Sequence, residues 1–333
     1  MDKIEKVLKE ISKQKLPAFF SSDIYDILYL TEIKVSFGFL ILTQNKIIFL
    51  TDGRYKEYAE SLKEIEFIEY KGKESILKVI KENNIKEICF DPNKEKANIK
   101  KFLDCSILEK EYFFDNIRKI KTLEEIVKIS QAVKITKDTL KELESKIFEL
   151  TEYEIRCEII KKYYQKGAIG EGFETIVAAD KNASIPHYHT SFNKSSYLCL
   201  IDTGCRYKNY VSDLTRTYFK KHAPFEIKKI YELVKETQEK VINLIKPGIK
   251  VKDLDNFVRE IFKKHGYEEF YLHSLGHGIG VYVHELPRIS YKSEEVLQEN
   301  MIITIEPGIY IKDLGGVRLE EDILVTKNGG IIL

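Results

Sequence analysis

The chain has 333 residues, of which 43% are hydrophobic and 32% charged, a balance typical of globular proteins with ample material for a core. Its 54 lysines and arginines nearly cancel its 53 aspartates and glutamates, so no global field would recruit nucleic acid or an acidic membrane surface. The 5 cysteines form no CxxC pair, which argues against a disulfide framework and for a reducing compartment.

Two further features bear on where the protein resides. The first residues have the pattern of a charged amphipathic helix and lack the apolar stretch of a signal peptide. The longest apolar runs, residues 37–42 and 47–50, are far too short to span a bilayer. We therefore expect a soluble, cytoplasmic protein that has neither a membrane nor a nucleic-acid partner.

Residues 1–117 alternate short strand-like and helix-like segments, which predicts a small α/β domain. A turn at residues 44–46 would join the first two strands into a hairpin. The predicted strands are 37–43, 47–51, 66–70 and 87–91, and the predicted helices are 54–62 and 75–83.

The pattern then changes, and we place a domain boundary between residues 1–117 and residues 118–333. Two capping boxes, each a threonine followed three residues later by a glutamate, predict helices that begin after Thr122 and Thr151. The remaining segments are predicted as strands, apart from two helical stretches at about 225–244 and 252–265. The second domain therefore combines helices with antiparallel hairpins, an α+β arrangement.

Two aspartates, Asp202 and Asp213, lie on either side of a turn predicted at Tyr207 and Lys208. In a symmetric hairpin about that turn they would face each other directly, with their Cβ atoms about 4.5–5.5 Å apart. Like charges at that distance destabilise a sheet, and Asp202 follows an apolar run that would bury it. Such a pair of carboxylates needs a cation or a shared proton.

A second hairpin repeats this arrangement near the end of the chain. Glu306 and Glu320 are predicted to face each other across a turn centred on Asp313, within apolar strands where a solvated acid is not expected. The repetition indicates an internal pseudo-twofold relation between the hairpins. His277 lies between them with a glycine on each side, which would leave its imidazole free to meet a metal.

The four carboxylates and the imidazole form an oxygen-rich set that suits two divalent first-row ions. Bridging carboxylates can hold two such ions about 3.5–4 Å apart. Each element also has a structural interpretation: an acid pair beside lysine or arginine can be ordinary surface chemistry, and a lone histidine in a glycine-rich loop is more often a turn residue. The metal hypothesis depends on their occurring together.

These features resemble the proline-specific branch of the pita-bread (M24) metallopeptidases, the Xaa-Pro aminopeptidases and Xaa-Pro dipeptidases (prolidases), over nearly the whole chain. The segment from His273 to Glu285 fits the proline-peptidase pattern and fits the methionine aminopeptidases less well. Residues 26–31 and 51–55 resemble the N-terminal domain of the family. The resemblance implies a creatinase/prolidase-like α/β domain followed by a pita-bread catalytic domain.

The resemblance also implies a role for each acidic residue. Asp202 would chelate one metal ion, and His277 with Glu306 would hold the other. Asp213 and Glu320 would bridge both ions. Glu306 would in addition take a proton from the metal-bridging hydroxide that attacks the substrate, and would pass it to the leaving proline nitrogen.

Three further residues match substrate-contacting positions of the family. His187 would contact the substrate, His284 would contact the scissile carbonyl or its oxyanion, and Arg318 would orient the carboxylates. The alternative for His187 and His284 is a core histidine satisfied by the backbone. Proline, which has no N–H as a tertiary amide, would be selected by an apolar, ring-sized slot. The candidate walls of that slot are Phe173, Tyr188 and Tyr282.

We therefore predict a Xaa-Pro aminopeptidase that acts on short proline-containing peptides, with a Xaa-Pro dipeptidase as the alternative. A metal-free, creatinase-like amidinohydrolase and a non-catalytic homologue are weaker alternatives, because such proteins replace ligands that this chain keeps. The resemblance favours two Mn or Co ions, with Zn or Fe as further options. It also implies a homodimer.

Overall fold

The computed structural model describes residues 2–95 and 103–333, and its contacts divide the chain into two units, Met1–Ile117 and Arg118–Leu333. In the described residues, no helix combines the length and the apolarity that a membrane crossing requires.

The first unit contains a mixed six-stranded sheet within its described residues, in the order β4-β3-β2-β1-β5-β6. The hairpin predicted at residues 37–51 is present, and its second strand is buried along its whole length, as expected for an apolar strand covered on both faces. The predicted helix at 54–62 is a single 3-10 turn, Gly53–Tyr55, followed by a short helix. The strands are β1 Phe19–Ser21, β2 Phe39–Leu42, β3 Ile47–Thr51, β4 Ile65–Glu69, β5 Glu87–Phe90 and β6 Ser106–Glu109, and the helices are α1 Lys3–Lys13, α2 Ile24–Thr31, α3 Lys56–Glu60, α4 Lys73–Glu82 and α5 Phe113–Arg118.

The second unit has the predicted α+β arrangement, and its strand pairs are antiparallel throughout the described ladders. Its main sheets have the strand orders β11-β8-β7 and β13-β12-β14-β17-β18, beside the two-stranded pairs β10-β9 and β15-β16. The helices are α6 Leu123–Leu143, α7 Glu152–Gln165, α8 Phe225–Ile242 and α9 Val251–Lys264. The strands are β7 Ile176–Ala179, β8 Leu198–Thr203, β9 Arg206–Tyr207, β10 Tyr210–Val211, β11 Leu214–Phe219, β12 Gly276–Gly278, β13 Glu285–Ile289, β14 Ile302–Ile305, β15 Gly308–Ile311, β16 Gly315–Arg318, β17 Glu321–Thr326 and β18 Gly329–Ile332.

Both predicted capping boxes are present at the helix starts. The Thr122 side chain accepts the backbone N–H of Glu125 at the start of α6, and Thr151 accepts that of Glu154 at the start of α7, with each glutamate reaching back to its threonine. These short-range bonds satisfy backbone donors that have no partner inside the helix. Local sequence was therefore sufficient to predict where these helices begin.

Strand β8 is buried from both sides by two different helix pairs. Leu198 and Leu200 belong to the core that includes α8 and α9, whereas Cys199 and Ile201 belong to the core that includes α6 and α7. Alternation along the strand places the side chain of Asp202 on the same side as Leu198 and Leu200. The apolar run thus delivers a carboxylate to the end of a fully covered strand.

The first hairpin turns one residue later than the sequence predicts. Its central residues are Lys208 and Asn209, both with positive φ (45° and 70°), so that Asp202 pairs with Thr215 and not with Asp213. The predicted direct opposition of the two aspartates was therefore wrong. A two-residue hairpin turn of type I′ has positive φ at both central positions, and asparagine tolerates that conformation better than the tyrosine at the predicted turn.

The second hairpin has the predicted register. Ile305 pairs with Glu321 on one side, and Gly308 pairs with Arg318 on the other, both symmetric about Asp313. Glu306 and Glu320 lie between these two ladders in the same register. The predicted register is confirmed in the two flanking ladders, whereas both glutamates lie in the break between the strands and not within them as predicted.

Candidate active site

Side chains from three separate segments of the second unit meet around His277. One ligand atom each from Asp213, His277 and Glu320 lies within 4.8 Å of the others. The Nε2 atom of His277 is 3.6 Å from Asp213 Oδ2 and 3.6 Å from Glu306 Oε1. The structure therefore brings four of the five predicted metal ligands together, although they lie up to 107 residues apart in the chain.

Asp202, the fifth predicted ligand, joins this cluster through Arg318. Its Oδ2 atom accepts a hydrogen bond from Arg318 Nη2 at 2.5 Å. Its Oδ1 atom is buried and has no hydrogen-bond partner among the described residues. A buried carboxylate oxygen with no proton donor is suited to a cation, so the donor set fits the divalent metals of an oxygen-rich site.

Burial is the main cause of the unusually high pKa values of the carboxyl groups. Burial, followed by the charge of Glu320, raises the pKa of Asp213 well above its usual range. Burial and the charge of Glu306 do the same to the pKa of Glu320. Burial raises the pKa of Glu306 to about 8, although Arg318 opposes the change. Carboxyl groups crowded in this way need protons or divalent cations.

The imidazole of His277 is held in its neutral form, which can donate an electron pair to a metal ion. Burial, followed by the nearby His284, lowers the pKa of His277 to about 3. The Nδ1 atom contacts the Gly278 carbonyl oxygen at 3.0 Å, which leaves Nε2 directed at the carboxylates. Neutral imidazole with one nitrogen held by a backbone carbonyl is the usual form of a metal-binding histidine.

The glycines beside His277 have a different purpose from the one the sequence predicted. A Cβ atom on Gly276 would lie 2.1 Å from the backbone oxygen of Thr304, and one on Gly278 would lie 2.1 Å from that of Leu286. The two glycines therefore permit close approach of the neighbouring strands β14 and β13. They give room to the backbone and not primarily to the imidazole.

A second layer of buried polar groups holds the ligands from behind. The backbone N–H of His277 donates to Thr304 Oγ1 at 3.1 Å, and the backbone N–H of Asp213 donates to Asp322 Oδ2 at 3.0 Å. Thr304 and Asp322 are themselves opposite each other in the β14–β17 ladder. One cross-strand pair thus supports ligands that come from two different sheets.

Arg318 makes three directed contacts in the centre of the site. Besides Asp202, its guanidinium donates to Thr215 Oγ1 at 3.0 Å and to the Tyr310 hydroxyl at 2.7 Å. Thr215 in turn donates to Glu320 Oε2 at 2.7 Å. Arg318 is therefore bonded to one predicted ligand directly and to another through a hydroxyl.

Sequence reasoning did not select Thr215, Tyr310 or His273 as site residues. The Tyr310 hydroxyl contacts His273 Nε2 at 2.8 Å, and His273 Nδ1 lies 3.9 Å from Glu306 Oε2. The sequence held a weak signal for two of them. Thr215 lies two residues after Asp213, the spacing of side chains on one face of a strand, and His273 lies four residues before His277. Nothing local marks Tyr310, because its partners come from distant segments.

The predicted substrate-contacting histidines lie on the exposed side of this cluster. The ring centroid of His284 is 4.5 Å from that of His277, with the rings edge to face. Burial, followed by the interaction with His187, lowers the pKa of His284. Both histidines are exposed, in contrast to the buried carboxylates of Asp213 and Glu320.

The three predicted slot walls differ in their surroundings. The ring of Tyr282 is 6.0 Å from the ring of His284, beside the site. The hydroxyl of Tyr188 is held by Glu152, and its ring packs against the core. The Phe173 ring lies against Gly204 in the first hairpin, where an added Cβ atom would be 3.0 Å away.

A pocket of about 420 Å³ lies beside His273. Its described lining residues carry cationic side chains and no acid; the cations are Arg259, Arg288 and Lys292. Arg288 pairs with His277 across strands β12 and β13, so both side chains project from the same face of the sheet. The described lining of the pocket therefore presents positive charge on the face of the sheet from which His277 projects.

Comparison with known proteins identifies relatives along nearly the whole chain. The family model described as "Metallopeptidase family M24" matches residues 127–327, and the "Creatinase/Prolidase N-terminal domain" matches residues 3–120. The chain is 33% identical over 342 residues to the Xaa-Pro dipeptidase of Pyrococcus furiosus, covering 98% of this chain and 96% of that protein.

Solved structures agree with these matches. The Xaa-Pro dipeptidase from Bacillus anthracis superimposes with a TM-score of 0.93 at 28% identity, covering 99% of this chain and 96% of that one. The X-Pro aminopeptidase from Thermotoga maritima superimposes with a TM-score of 0.87 at 30% identity, covering 97% of both chains.

Proposed function

Because the chain belongs to metallopeptidase family M24, we propose that it hydrolyses the peptide bond before proline at the N-terminus of short peptides. The observation that carries the proposal is the buried cluster of carboxylates around His277. The three relatives described above are all named as peptidases of Xaa-Pro bonds. We assign the reaction to residues 118–333 and treat residues 1–117 as a separate N-terminal domain.

We propose that two divalent ions occupy the site, with Mn or Co preferred and Zn or Fe as alternatives. When bound, such ions lower the pKa of a water molecule and polarise the scissile carbonyl. The oxygen-rich donor set with a single neutral imidazole supports this class of metal. The residues that would hold the ions are Asp202, Asp213, His277, Glu306 and Glu320.

The protein's own contribution to the chemistry begins with Glu306. With metal bound, its carboxylate would be ionised and could accept a proton from the attacking water, hold it, and pass it on in the next step. The leaving proline nitrogen must gain a proton when its bond to the carbonyl carbon breaks. We assign that transfer to Glu306, whose carboxylate is within 3.9 Å of both His273 and His277.

The substrate would be oriented by groups on the exposed side of the cluster. His284 and His187 can donate hydrogen bonds to the scissile carbonyl and to the peptide, because neither ring is enclosed by the core. Arg318 supplies fixed positive charge beside Asp202 and holds the carboxylates in place. Charged groups and hydrogen-bond donors that are already in position stabilise developing charge without having to reorganise during the reaction.

A second candidate, dipeptidase activity, is favoured by the cationic pocket beside His273. A dipeptide substrate ends in a carboxylate directly after proline, so a dipeptidase needs a cation at that distance. Arg288 projects from the same face as His277 and fits this requirement. A longer peptide has no charge at that position and would gain nothing from it.

The test is hydrolysis by metal-reconstituted protein of a Xaa-Pro dipeptide, a Xaa-Pro-Xaa tripeptide and a Xaa-Ala dipeptide. Cleavage of the tripeptide would establish an aminopeptidase, and cleavage of the Xaa-Pro dipeptide alone would establish a dipeptidase. Asp213→Ala should remove both activities. Equal cleavage of the Xaa-Ala dipeptide, or no turnover by metal-loaded protein, would refute the proline assignment.

We further propose that the protein is a homodimer of the cytoplasm. All five cysteines are free, which is compatible with a reducing compartment. Size-exclusion chromatography with light scattering measures the oligomeric state directly, and a monomeric mass would refute the dimer. Cell fractionation of the native host tests the location.

A further inference from the structure

Three ionised side chains of the second unit meet in its interior, apart from the metal-binding cluster. Lys121 Nζ lies 2.9 Å from Glu285 Oε2, and Arg118 Nε lies 3.4 Å from Glu285 Oε1. The Lys121 and Glu285 side chains are 0% and 1% exposed. Burying charges is costly even when they are paired, and a well-packed apolar set would stabilise the fold at least as well. The cluster therefore calls for an explanation beyond stability.

Glu285 is bonded to the turn that immediately precedes it. Its Oε1 atom accepts the backbone N–H of Val281 at 3.1 Å and that of Tyr282 at 3.3 Å. A Cβ atom on Gly280 would lie only 2.4 Å from Glu285 Oε2, so the backbone passes directly against the carboxylate. The turn is thus held by the side chain of the residue that follows it.

His284 is carried by this turn. It lies one residue before Glu285, and its ring contacts the rings of His277 and Tyr282 at centroid distances of 4.5 Å and 6.0 Å. The side chain of His284 is exposed, so these two rings cover only part of its surface. The position of its ring therefore depends on the backbone to which it is attached.

The same turn is tied to the first hairpin. The backbone N–H of Val211 donates to Gly280 O at 2.9 Å, and Arg206 Nη1 donates to Val281 O at 2.8 Å. These bonds fix the outer edge of the turn, while Glu285 fixes its inner edge. Lys121 is in turn held by its own bond to Arg118 O at 2.7 Å. The turn is constrained from two independent directions.

We propose that Glu285, paired with Lys121 and Arg118, is a positioning residue that holds the 280–284 turn so that His284 faces the scissile bond. The two cations keep the carboxylate at the centre of the turn, where both of its oxygens are used. Glu285 does not touch the substrate and acts through His284. This inference rests on the proposed function, because it assigns a role within the same site.

The first variant is Glu285→Gln, measured as metal-loaded protein with the Xaa-Pro substrate. A misplacement of about 1 Å in an active site can lower the rate on the order of 10²-fold, so kcat should fall by about that factor while KM changes little. Gly280→Ala provides a second route, because its Cβ atom would collide with the Glu285 carboxylate and force it away from the turn while its charge is kept. It should lower kcat in the same way.

A matched control distinguishes positioning from general damage. Glu171 also pairs with an arginine, Arg156, and accepts a backbone N–H, that of Thr175 at 3.0 Å. Glu171→Gln removes a comparable interaction away from His284, and its kcat should stay within about 2-fold of the wild type. Metal content, measured by elemental analysis, should be unchanged in all three variants.

The decisive measurement is a double-mutant cycle with His284→Ala. If Glu285 acts through His284, then Glu285→Gln should cost little further activity once the imidazole is gone. An equally large loss in both backgrounds would overturn the proposal. Wild-type kcat in a folded Glu285→Gln protein would overturn it as well.

A second readout does not depend on activity. Hydrogen–deuterium exchange over residues 279–285 should accelerate in both variants. In Glu285→Gln the side chain keeps only one acceptor oxygen, which cannot serve both Lys121 and the N–H groups of Val281 and Tyr282. In Gly280→Ala the added Cβ atom pushes the carboxylate away from those N–H groups. If the wild type cleaves no Xaa-Pro peptide, the proposed function fails, and exchange alone then decides whether Glu285 anchors the turn. Unchanged exchange in both variants would refute the anchoring.

Discussion

Arg318 Nη2 lies 2.5 Å from Asp202 Oδ2, and this contact joins the two hairpins that carry the acidic residues. Asp202 comes from β8 in the first hairpin, and Arg318 ends β16 in the second. A buried guanidinium among carboxylates has two effects. It offsets part of their mutual repulsion, and its planar fork fixes the direction from which each partner approaches.

Arg318→Lys should weaken metal binding and lower activity, although it keeps the charge. Lysine cannot make the three directed contacts to Asp202, Thr215 and Tyr310 at once. Groups that orient metal ligands typically change affinity or activity by about 10–100-fold, and we expect a loss in that range. Titration calorimetry with Mn²⁺ and peptide assays measure both quantities.

The control for that substitution is Arg156→Lys. Arg156 pairs with Glu171 at 3.2 Å and with Glu174 at 2.7 Å, and neither glutamate is a proposed metal ligand. Its replacement should leave the affinity for Mn²⁺ within about 2-fold of the wild type. Equal behaviour of the two variants would show that charge alone, and not guanidinium geometry, is what the site requires.

Thr304→Val should destabilise the protein and weaken its metal site. The change keeps the shape of the side chain but leaves the backbone N–H of His277 without its acceptor. A buried donor without a partner costs about 1–3 kcal/mol, which urea unfolding would detect. Because His277 loses its backbone support, metal affinity should also fall, by about 10–100-fold.

Thr139→Val is the matched control. The Thr139 hydroxyl is fully buried and has no hydrogen-bond partner in the described part of the chain. Its replacement by an isosteric apolar residue removes an unsatisfied group, so stability should stay the same or rise. If both valine variants lose stability equally, the hydrogen bond to His277 is not the cause.

Chelator-treated protein should become less stable as pH rises from 6.5 to 9. Burial raises the folded-state pKa of Glu306 to about 8, above its ordinary value of 4.5. Between these values the folded protein holds a proton that the unfolded chain has lost, so stability falls with rising pH. His273 and His277, whose folded-state pKa values are lowered to about 3, are neutral in the folded protein. In the unfolded chain they lose their protons around pH 6.5, so their opposing effect is confined to the lower end of this range.

Thermal unfolding at a series of pH values measures this dependence. Glu306→Gln should reduce the slope, because this side chain can no longer titrate. Asp213, Glu320 and Asp322, whose pKa values burial also raises, should maintain the remainder. Added Mn²⁺ should raise the melting temperature most at high pH, where the carboxylates are free of protons. A melting temperature that rises with pH in the chelated protein would contradict the prediction.

Arg288→Ala should impair the cleavage of a Xaa-Pro dipeptide more than that of a tripeptide. A hydrogen bond to a charged group is worth about 1.5–3 kcal/mol, which corresponds to a rise in KM for the dipeptide of about 10–100-fold. The exposed Lys252, which pairs with Glu294, provides a control as Lys252→Ala. Equal effects on both substrates would show that Arg288 does not bind the carboxylate of the dipeptide.

Features that depend on neighbouring residues or on symmetry along the chain could be predicted without the structure. Thr122 and Thr151 mark helix starts because their bonds reach only three residues ahead. The symmetric spacing about Asp313 was sufficient to predict the register of the strands on either side of Glu306 and Glu320. The α+β class and the family also followed from pattern and motif, since both depend on the order of segments.

The contacts between distant segments became known only from the folded protein. The first hairpin shifted because a turn with two positive φ values selects Lys208 and Asn209, a preference of backbone geometry that symmetry about the aspartates did not capture. Tyr310 and Thr215 became part of the site through bonds to Arg318. Such bonds follow from packing two hairpins together, and no local pattern encodes which hydroxyl will meet the guanidinium.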